Sequence, residues 1–407
     1  MSFDPSTQPC PRDDLHSRLP TRLLLGPGPS TVHPRVLGAM NRPLIGHLDP
    51  AFLSLMTDTQ QLLRWLFQTE NPFTIAVSGT GSAAMESVIV NLVEPGDRVI
   101  VCINGVFGER LRHMVQRCGG LPICLESAWG QPIPLEKLEV CLKAASPVKA
   151  VAIVHAETST GVGQELGTFG PLCHHYGALS IVDAVTSLAG IPVKVDEWKI
   201  DACYSASQKC VSCPPGVAPL TLSPNAMDVI HKRKTACQSW YLDCALVADY
   251  WEEGKRTYHH TAPISMIYAL YESLRLIHEE GLQPRFDRHR LNSMALLAGL
   301  DVLGFSLFPN TTNALPTLHC MRLPDYLPDQ PARSRLLHDF NIEVGGGLGA
   351  LGGKVWRIGL MGESSQKEHV FRLLEALETL CAPVHGGFAK GQATEAADSV
   401  YKNPSRI

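Results

Sequence analysis

The sequence predicts an α/β fold: a large domain built on a mainly parallel sheet of seven strands, followed by a smaller C-terminal α+β domain. Two observations carry this. Between about residues 74 and 223, short β-branched runs alternate with stretches of helical spacing, the pattern of a parallel sheet with crossover helices. Beyond residue 270 the order changes to long helical patterns, then short strand candidates, then one more helix.

The seven runs of the first part are TIAVSG, RVIVCIN, LPICLES, KAVAIVHAE, LSIVDAV, ACYSAS and APLTLS, and AAMESVIVNLV and GERLRHMVQRC between them have helical spacing. The second part opens with SMIYALYESLRLIHEEGL and HRLNSMALLAGLDVLG. It continues with LHCMRL, NIEVGG and KVWRIGLMG, and closes with HVFRLLEALETLC. The expected organisation is a flexible lead-in over 1–21, then a large domain over 22–270 whose arm contains LLLGPGPS. A small domain over 271–382 and a loosely held polar tail over 383–407 complete it.

Composition narrows the function. The 407 residues are 45% hydrophobic and 18% charged, with a net charge of −4 and both signs mixed; nothing here points to nucleic acid or an anionic membrane as partner. No apolar run approaches the ~20 residues that span a bilayer, and the N-terminal stretch lacks the apolar segment of a secretory signal. The 13 cysteines are odd in number and scattered through apolar runs, as buried free thiols in a reducing compartment are. Cys210 and Cys213 form a C-x-x-C without a second pair at zinc-finger spacing, so they are read as core residues and no metal is expected. The expected location is cytoplasmic, or peroxisomal if the final Ser405-Arg406-Ile407 is read as a eukaryotic S-K-L-type address.

Ligands of open α/β sheets sit beyond the carboxyl ends of the strands. There the first run delivers Ser78-Gly79-Thr80-Gly81-Ser82 before a helix, a place where backbone N–H groups receive a phosphate. The second ends in Asn104-Gly105-Val106-Phe107, the fourth in His155-Ala156-Glu157-Thr158, the fifth in Asp183 and the sixth in Gln208-Lys209. Gly79 to Ala84 also fits G-x-G-x-x-A, but the acid that a dinucleotide site needs about 20 residues on is replaced by Asn104. Phosphate loop, aromatic ring, strand-end acid and loop lysine together suit pyridoxal 5′-phosphate, with the lysine as Schiff-base former and the acid at the ring nitrogen.

The chain further resembles the alanine–glyoxylate / serine–pyruvate aminotransferases, the class V branch of the fold-type I pyridoxal-phosphate enzymes. The resemblance covers about residues 22 to 382. It is carried by LLLGPGPS, FQTENP, SGTGSAAME, EPGD, NGVFGER, ETSTGV, VDAVTSLAG, SASQK, PPG, YHHT, GGLG and KVWRIGLMG in that order. It implies that Lys209 binds the cofactor and shuttles the proton, that Asp183 pairs with the ring nitrogen, and that Val185 backs the ring. It implies that Phe107 stacks on the ring and that Thr158 lies at its 3-hydroxyl side. Thr80, Gly81, Ser82 and Gln208 would bind the phosphate, with Tyr258 and Thr261 reaching it from the partner of a homodimer. Arg357 would clamp the carboxylate of the amino acid or 2-oxo acid substrate, with Gly28 nearby. Proximity to the positively charged ring would lower the Lys209 pKa.

Three departures from the family pattern bear on amino-acid preference: Phe107 where Trp is frequent, Ser82 where His is frequent, and His47 beside the substrate segment without a fixed counterpart. The resemblance implies transfer of the amino group of alanine or serine to glyoxylate or pyruvate. A kynurenine-type transaminase with glyoxylate as acceptor shares nearly all the motifs. A lyase or desulfurase on the same fold needs a nucleophilic cysteine in the second domain, where Cys320 and Cys381 are the candidates.

Overall fold

The computed structural model describes residues 18–382 and 389–403. Most of the 1–21 lead-in and the final Ser405-Arg406-Ile407 lie outside the described residues. The large sheet has seven strands: β1 (Phe73–Ser78), β2 (Arg98–Ile103), β3 (Leu121–Glu126), β4 (Ala150–Val154), β5 (Leu179–Asp183), β6 (Ala202–Tyr204) and β7 (Val217–Leu222). They lie in the order β1-β7-β6-β5-β4-β2-β3. Only β7 runs against its neighbours; the contacts β2–β3, β2–β4, β4–β5 and β5–β6 are all parallel. Strands β4, β5, β6 and β7 are buried at every position, because helices cover both faces, and this is why they read as unbroken apolar runs.

Some helices begin where the sequence supplies a cap. In α1 (Pro50–Phe67), Asp49 accepts the Ala51 N–H at 2.8 Å and Pro50 occupies the first position, where its missing N–H costs nothing. By contrast α2 (Gly81–Leu92) and α3 (Val106–Arg117) start directly beyond β1 and β2 with no capping side chain of their own at Thr80 and Gly105. Both N-termini lie beyond the carboxyl ends of these strands.

Helix α4 (Ile264–Glu280) belongs to the large core, which runs through Ile277 and so extends beyond position 270. Helix α5 (Leu282–Val302) then opens a second core containing Leu296, Leu300, Trp356 and Ile358. Its sheet is antiparallel, β8 (Ser306–Leu307), β9 (Leu318–Arg322), β10 (Gly345–Gly346) and β11 (Val355–Gly359), in the order β8-β9-β11-β10. The N-terminal arm joins this unit: Leu23 and Leu24 pair in parallel with Ile342 and Glu343, and the Gly359 N–H bonds to the Leu25 carbonyl at 2.8 Å. No helix among the described residues is long and apolar enough to cross a membrane.

The stretch expected to be a loose tail differs in its middle. Residues Gln392–Lys402 form helix α7, which buries Ala393, Ala397 and Val400 against the second core. Its first N–H groups are received by Glu378 of α6 (Lys367–Cys381), a buried carboxylate that accepts from Gly391 at 2.9 Å and Ala393 at 2.7 Å. An anion at a helix N-terminus is stabilising, the more so out of water. Replacing Glu378 by alanine should cost about 1.5–3 kcal/mol of local stability, as hydrogen bonds to charged groups do. Hydrogen exchange of the Gln392–Lys402 amides should then accelerate by about 10- to 100-fold; unchanged exchange would mean the apolar face of α7 suffices to hold it.

Candidate active site

Lys209 stands in the loop that follows β6, and this loop is fastened on several sides. The Ser30 N–H bonds to the Gln208 carbonyl at 2.9 Å and Ser30 Oγ to the Lys209 carbonyl at 2.8 Å. The Arg285 guanidinium donates to Cys210 O at 2.7 Å and to Ala189 O at 2.9 Å. The lysine amine itself donates to the Pro27 carbonyl. Gly28, at φ +107°, makes this approach possible, since a Cβ there would stand 2.6 Å from Lys209 Nζ. Burial, and after it the Arg357 charge, lowers the amine pKa to about 8. Burial and Arg357 thus lower this pKa before any contribution from the cofactor's ring. An amine so placed is available as a nucleophile near neutral pH.

Asp183 closes β5 opposite Tyr204 in the β5–β6 register. Its Oδ1 accepts the Val185 N–H at 2.8 Å and its Oδ2 the Tyr204 hydroxyl at 2.9 Å. Burial raises its pKa to about 6, against the pull of those two hydrogen bonds. Thr158 is buried, and its hydroxyl meets that of Thr186 at 2.6 Å. Phe107 lies half-buried in the first turn of α3, with the Arg110 guanidinium 4.9 Å from its ring centroid, a cation the sequence reading did not assign.

Thr80, Gly81 and Ser82 form the start of α2, where the first amides have no acceptor within the helix. The Gly79 N–H ties this loop to Gly216 O at 3.0 Å, so the Pro214-Pro215-Gly216 turn backs both the phosphate loop and the lysine loop. Gln208 Oε1 is buried without a hydrogen-bond partner among the described residues.

Arg357 comes from the second unit. It sits at the centre of the small sheet on β11, opposite Cys320 and Gly345, and is only 8% exposed. Its Nε donates to the Gly346 carbonyl at 2.8 Å, which fixes the guanidinium plane. Burial lowers its pKa, and its charge is felt at Lys209.

The structure gathers the remaining expected residues elsewhere. The His47 and Tyr258 rings lie 5.2 Å apart, and His260 Nε2 meets Ser78 Oγ at 2.6 Å. Tyr258 and Thr261 are exposed. Among the described residues no hydrogen bond or ring contact joins this group to Lys209, Asp183 or Arg357. Cys320 is fully buried and its thiol is pushed up to about 12 by burial, and Cys381 is buried too; neither is a mobile nucleophile. Among the described residues no cluster could hold a metal ion. Three buried side chains of the site had drawn no role from the sequence: Tyr204, Glu157 and Arg285. Glu157 alone carried a signal, a charge ending an apolar run.

Comparison with known proteins agrees with this geometry. The model of the family "Aminotransferase class-V" matches residues 31–351. The (S)-ureidoglycine–glyoxylate transaminase of Bacillus subtilis is 40% identical over 405 residues, 95% of this chain and 97% of the relative. The alanine–glyoxylate aminotransferase of Oryctolagus cuniculus is 42% identical over 361 residues, 88% of this chain and 92% of the relative. The crystal structure of an alanine–glyoxylate aminotransferase from Nostoc sp. superposes with a TM-score of 0.89 at 48% identity, over 93% of this chain and all of that one.

The residues present fit pyridoxal 5′-phosphate on their own account. The open amides of α2 and the N–H2 of the Gln208 side-chain amide suit a phosphate, Asp183 suits a protonated ring nitrogen, and the lowered Lys209 amine suits an aldehyde. The chain belongs to the class-V aminotransferases, enzymes that work with pyridoxal 5′-phosphate.

Proposed function

We propose that this aminotransferase moves the amino group of a small amino acid, alanine before serine, to glyoxylate, with pyruvate a usable acceptor. The observation that carries the reading is the buried guanidinium of Arg357, whose field reaches Lys209, while the other buried guanidinium, Arg285, is taken up by Glu280 and the Ala189 and Cys210 carbonyls. With Nε occupied by Gly346, its two terminal nitrogens form a fork for one α-carboxylate. The relatives support the acceptor, since the proteins of Bacillus subtilis, Oryctolagus cuniculus and Nostoc sp. are all named for glyoxylate.

Pyridoxal phosphate supplies the electron sink for the bond broken at the substrate Cα. The chain supplies the rest. Lys209 takes the Cα proton and returns one, a role for which an amine with a pKa of about 8 is suited at neutral pH. Asp183, held by Val185 and Tyr204, keeps negative charge at the ring-nitrogen end. Phe107, Val185 and Thr158 would line the ring, and Thr80, Gly81, Ser82 and Gln208 would hold the phosphate, while Gly28 leaves room beside the amine. Arg357 orients the substrate so that its Cα–H faces Lys209.

The working unit we propose is a homodimer in which Tyr258 and Thr261 reach the partner's phosphate site. Trp240, Tyr241 and Tyr258 are exposed; Trp240 and Tyr241 meet through His259 and His260, and Tyr258 packs on His47, which Tyr250 ties to His260, a cluster of exposed rings of the kind that marks a protein interface. Sedimentation should give a dimer, and Trp240→Asp should shift it toward monomer with loss of activity. A fully active wild-type monomer would contradict the shared site.

Arg357→Lys should lower kcat/KM by about 30- to 1000-fold, because a point charge cannot replace the two-pronged contact. In a donor panel against glyoxylate, alanine should lead and serine follow. Aspartate and glutamate should be poor, because Arg285 is already engaged by Glu280 and two carbonyls and Arg110 lies over the Phe107 ring; Arg357 is left as the fork for one carboxylate. A best donor that is ureidoglycine, or an aromatic donor whose advantage is lost in His47→Ala, would replace the alanine assignment. Glutamate leading by tenfold or more would overturn the small-substrate reading.

A further inference from the structure

Helix α3 has a defect at its start. The N-cap position is Gly105, which has no side chain to receive the first N–H groups. They are received instead by the turn after the short strand Ala156–Glu157. The Val106 N–H bonds to Ser159 Oγ at 2.9 Å and the Phe107 N–H to Glu157 Oε2 at 3.1 Å. The other carboxylate oxygen accepts the Ser159 N–H at 3.0 Å and the Ser159 hydroxyl at 2.6 Å. Gly105 is glycine for space, since its φ of 175° is extended backbone open to any residue. A Cβ there would overlap the Glu157 carboxyl carbon and Ser159 Oγ.

Glu157 is fully buried. A carboxylate out of water is costly unless N–H and O–H groups surround it, and here a helix N-terminus provides them together with its favourable dipole. The residue between the two capping side chains is Thr158, whose hydroxyl bonds to Thr186 just beyond the end of β5. One carboxylate thus ties together the chain beyond β2, the turn beyond β4 and, through Thr158, the segment beyond β5. These bonds fix the backbone of Phe107 and of Thr158 relative to each other.

We propose that Glu157 is a positioning residue for the cofactor: its carboxylate caps α3 from outside and sets the spacing of Phe107 and Thr158 across the cofactor ring. The inference rests on the reading that Phe107 and Thr158 line the cofactor.

The test uses cofactor-free protein titrated with pyridoxal 5′-phosphate. The dissociation constant is taken from absorbance, the environment of the bound ring from visible circular dichroism, and the melting temperature from the cofactor-free form. Glu157→Gln turns an amide N–H against a backbone N–H, and should weaken binding by about 10-fold or more and alter the visible circular dichroism. Ser159→Ala, which keeps the carboxylate, should weaken binding about 3-fold and provides the answer if the first variant does not fold. Phe107→Ala and Thr158→Ala report on the underlying reading. If those two change affinity and dichroism while Glu157→Gln and Ser159→Ala only lower the melting temperature, Glu157 is a structural cap and the proposal is overturned. If all four variants bind like wild type, the cofactor-lining reading fails and takes the proposal with it.

Discussion

A primary amine is held out of water where three parts of the chain converge, and much of the architecture serves to keep it there. Lys209 meets the N-terminal arm at Pro27, the end of the parallel sheet at Asp183, and the field of the small-sheet Arg357. Burying an amine favours its neutral form, so the loop carrying it must be prevented from turning it to solvent. Ser30 holds the loop from the arm, and Arg285 holds it from α5. Arg285 is itself paired with Glu280, which also binds Arg288, and Arg288 donates to the Gly362 carbonyl at the end of the small sheet. Desolvation offsets much of the attraction within a partly buried ion-pair network of this kind. Here the network couples the lysine loop to the unit that supplies Arg357.

The two buried carboxylates of the site have different surroundings. Asp183 has two donors, one of them a side chain, and its pKa rises to about 6. Glu157 has a helix N-terminus and a serine around it, partly offsetting the rise that burial causes. Asp183 is thereby left as the base of a site that a charged ring can share, while Glu157 is used up within the protein. Among the described residues Lys209, Arg357, Asp183 and Glu157 form no direct ion pair with one another. Their charges are kept apart by backbone and tyrosine donors, an arrangement suited to a ligand that touches several of them.

The large sheet was legible because most of its strands, β4 to β7 above all, are buried on both faces and so appear as uninterrupted apolar runs. Lys209 and Asp183 were legible because each puts a charge at the end of such a run, at the sheet edge where ligands bind. Helix α7 was not, since its buried face consists of small residues, Ala393, Ala397 and Val400, and its cap, Glu378, lies on another helix. Glu157 could be seen as a charge but not interpreted, because its decisive partner, the Phe107 N–H, is 50 residues away in sequence. Tyr204 read as one more apolar strand residue, its hydroxyl contact depending on cross-strand register. His47 and Tyr258 meet only through a contact across some 200 residues, and spacing along the chain carries no trace of it.

The central claim is that the buried, pKa-lowered Lys209 is the amine that takes up the cofactor. Cofactor-free protein is loaded with pyridoxal 5′-phosphate for a fixed short time at a series of pH values and reduced with borohydride, and the labelled peptide is mapped. Only the neutral amine reacts, and a lysine pKa lowered to about 8 makes that form dominant above this value. The label should fall on Lys209, with its amount rising from pH 6.5 through a midpoint near pH 8 and levelling about one unit above that. Label on another lysine, or on Lys209 with no dependence on pH, would contradict the account.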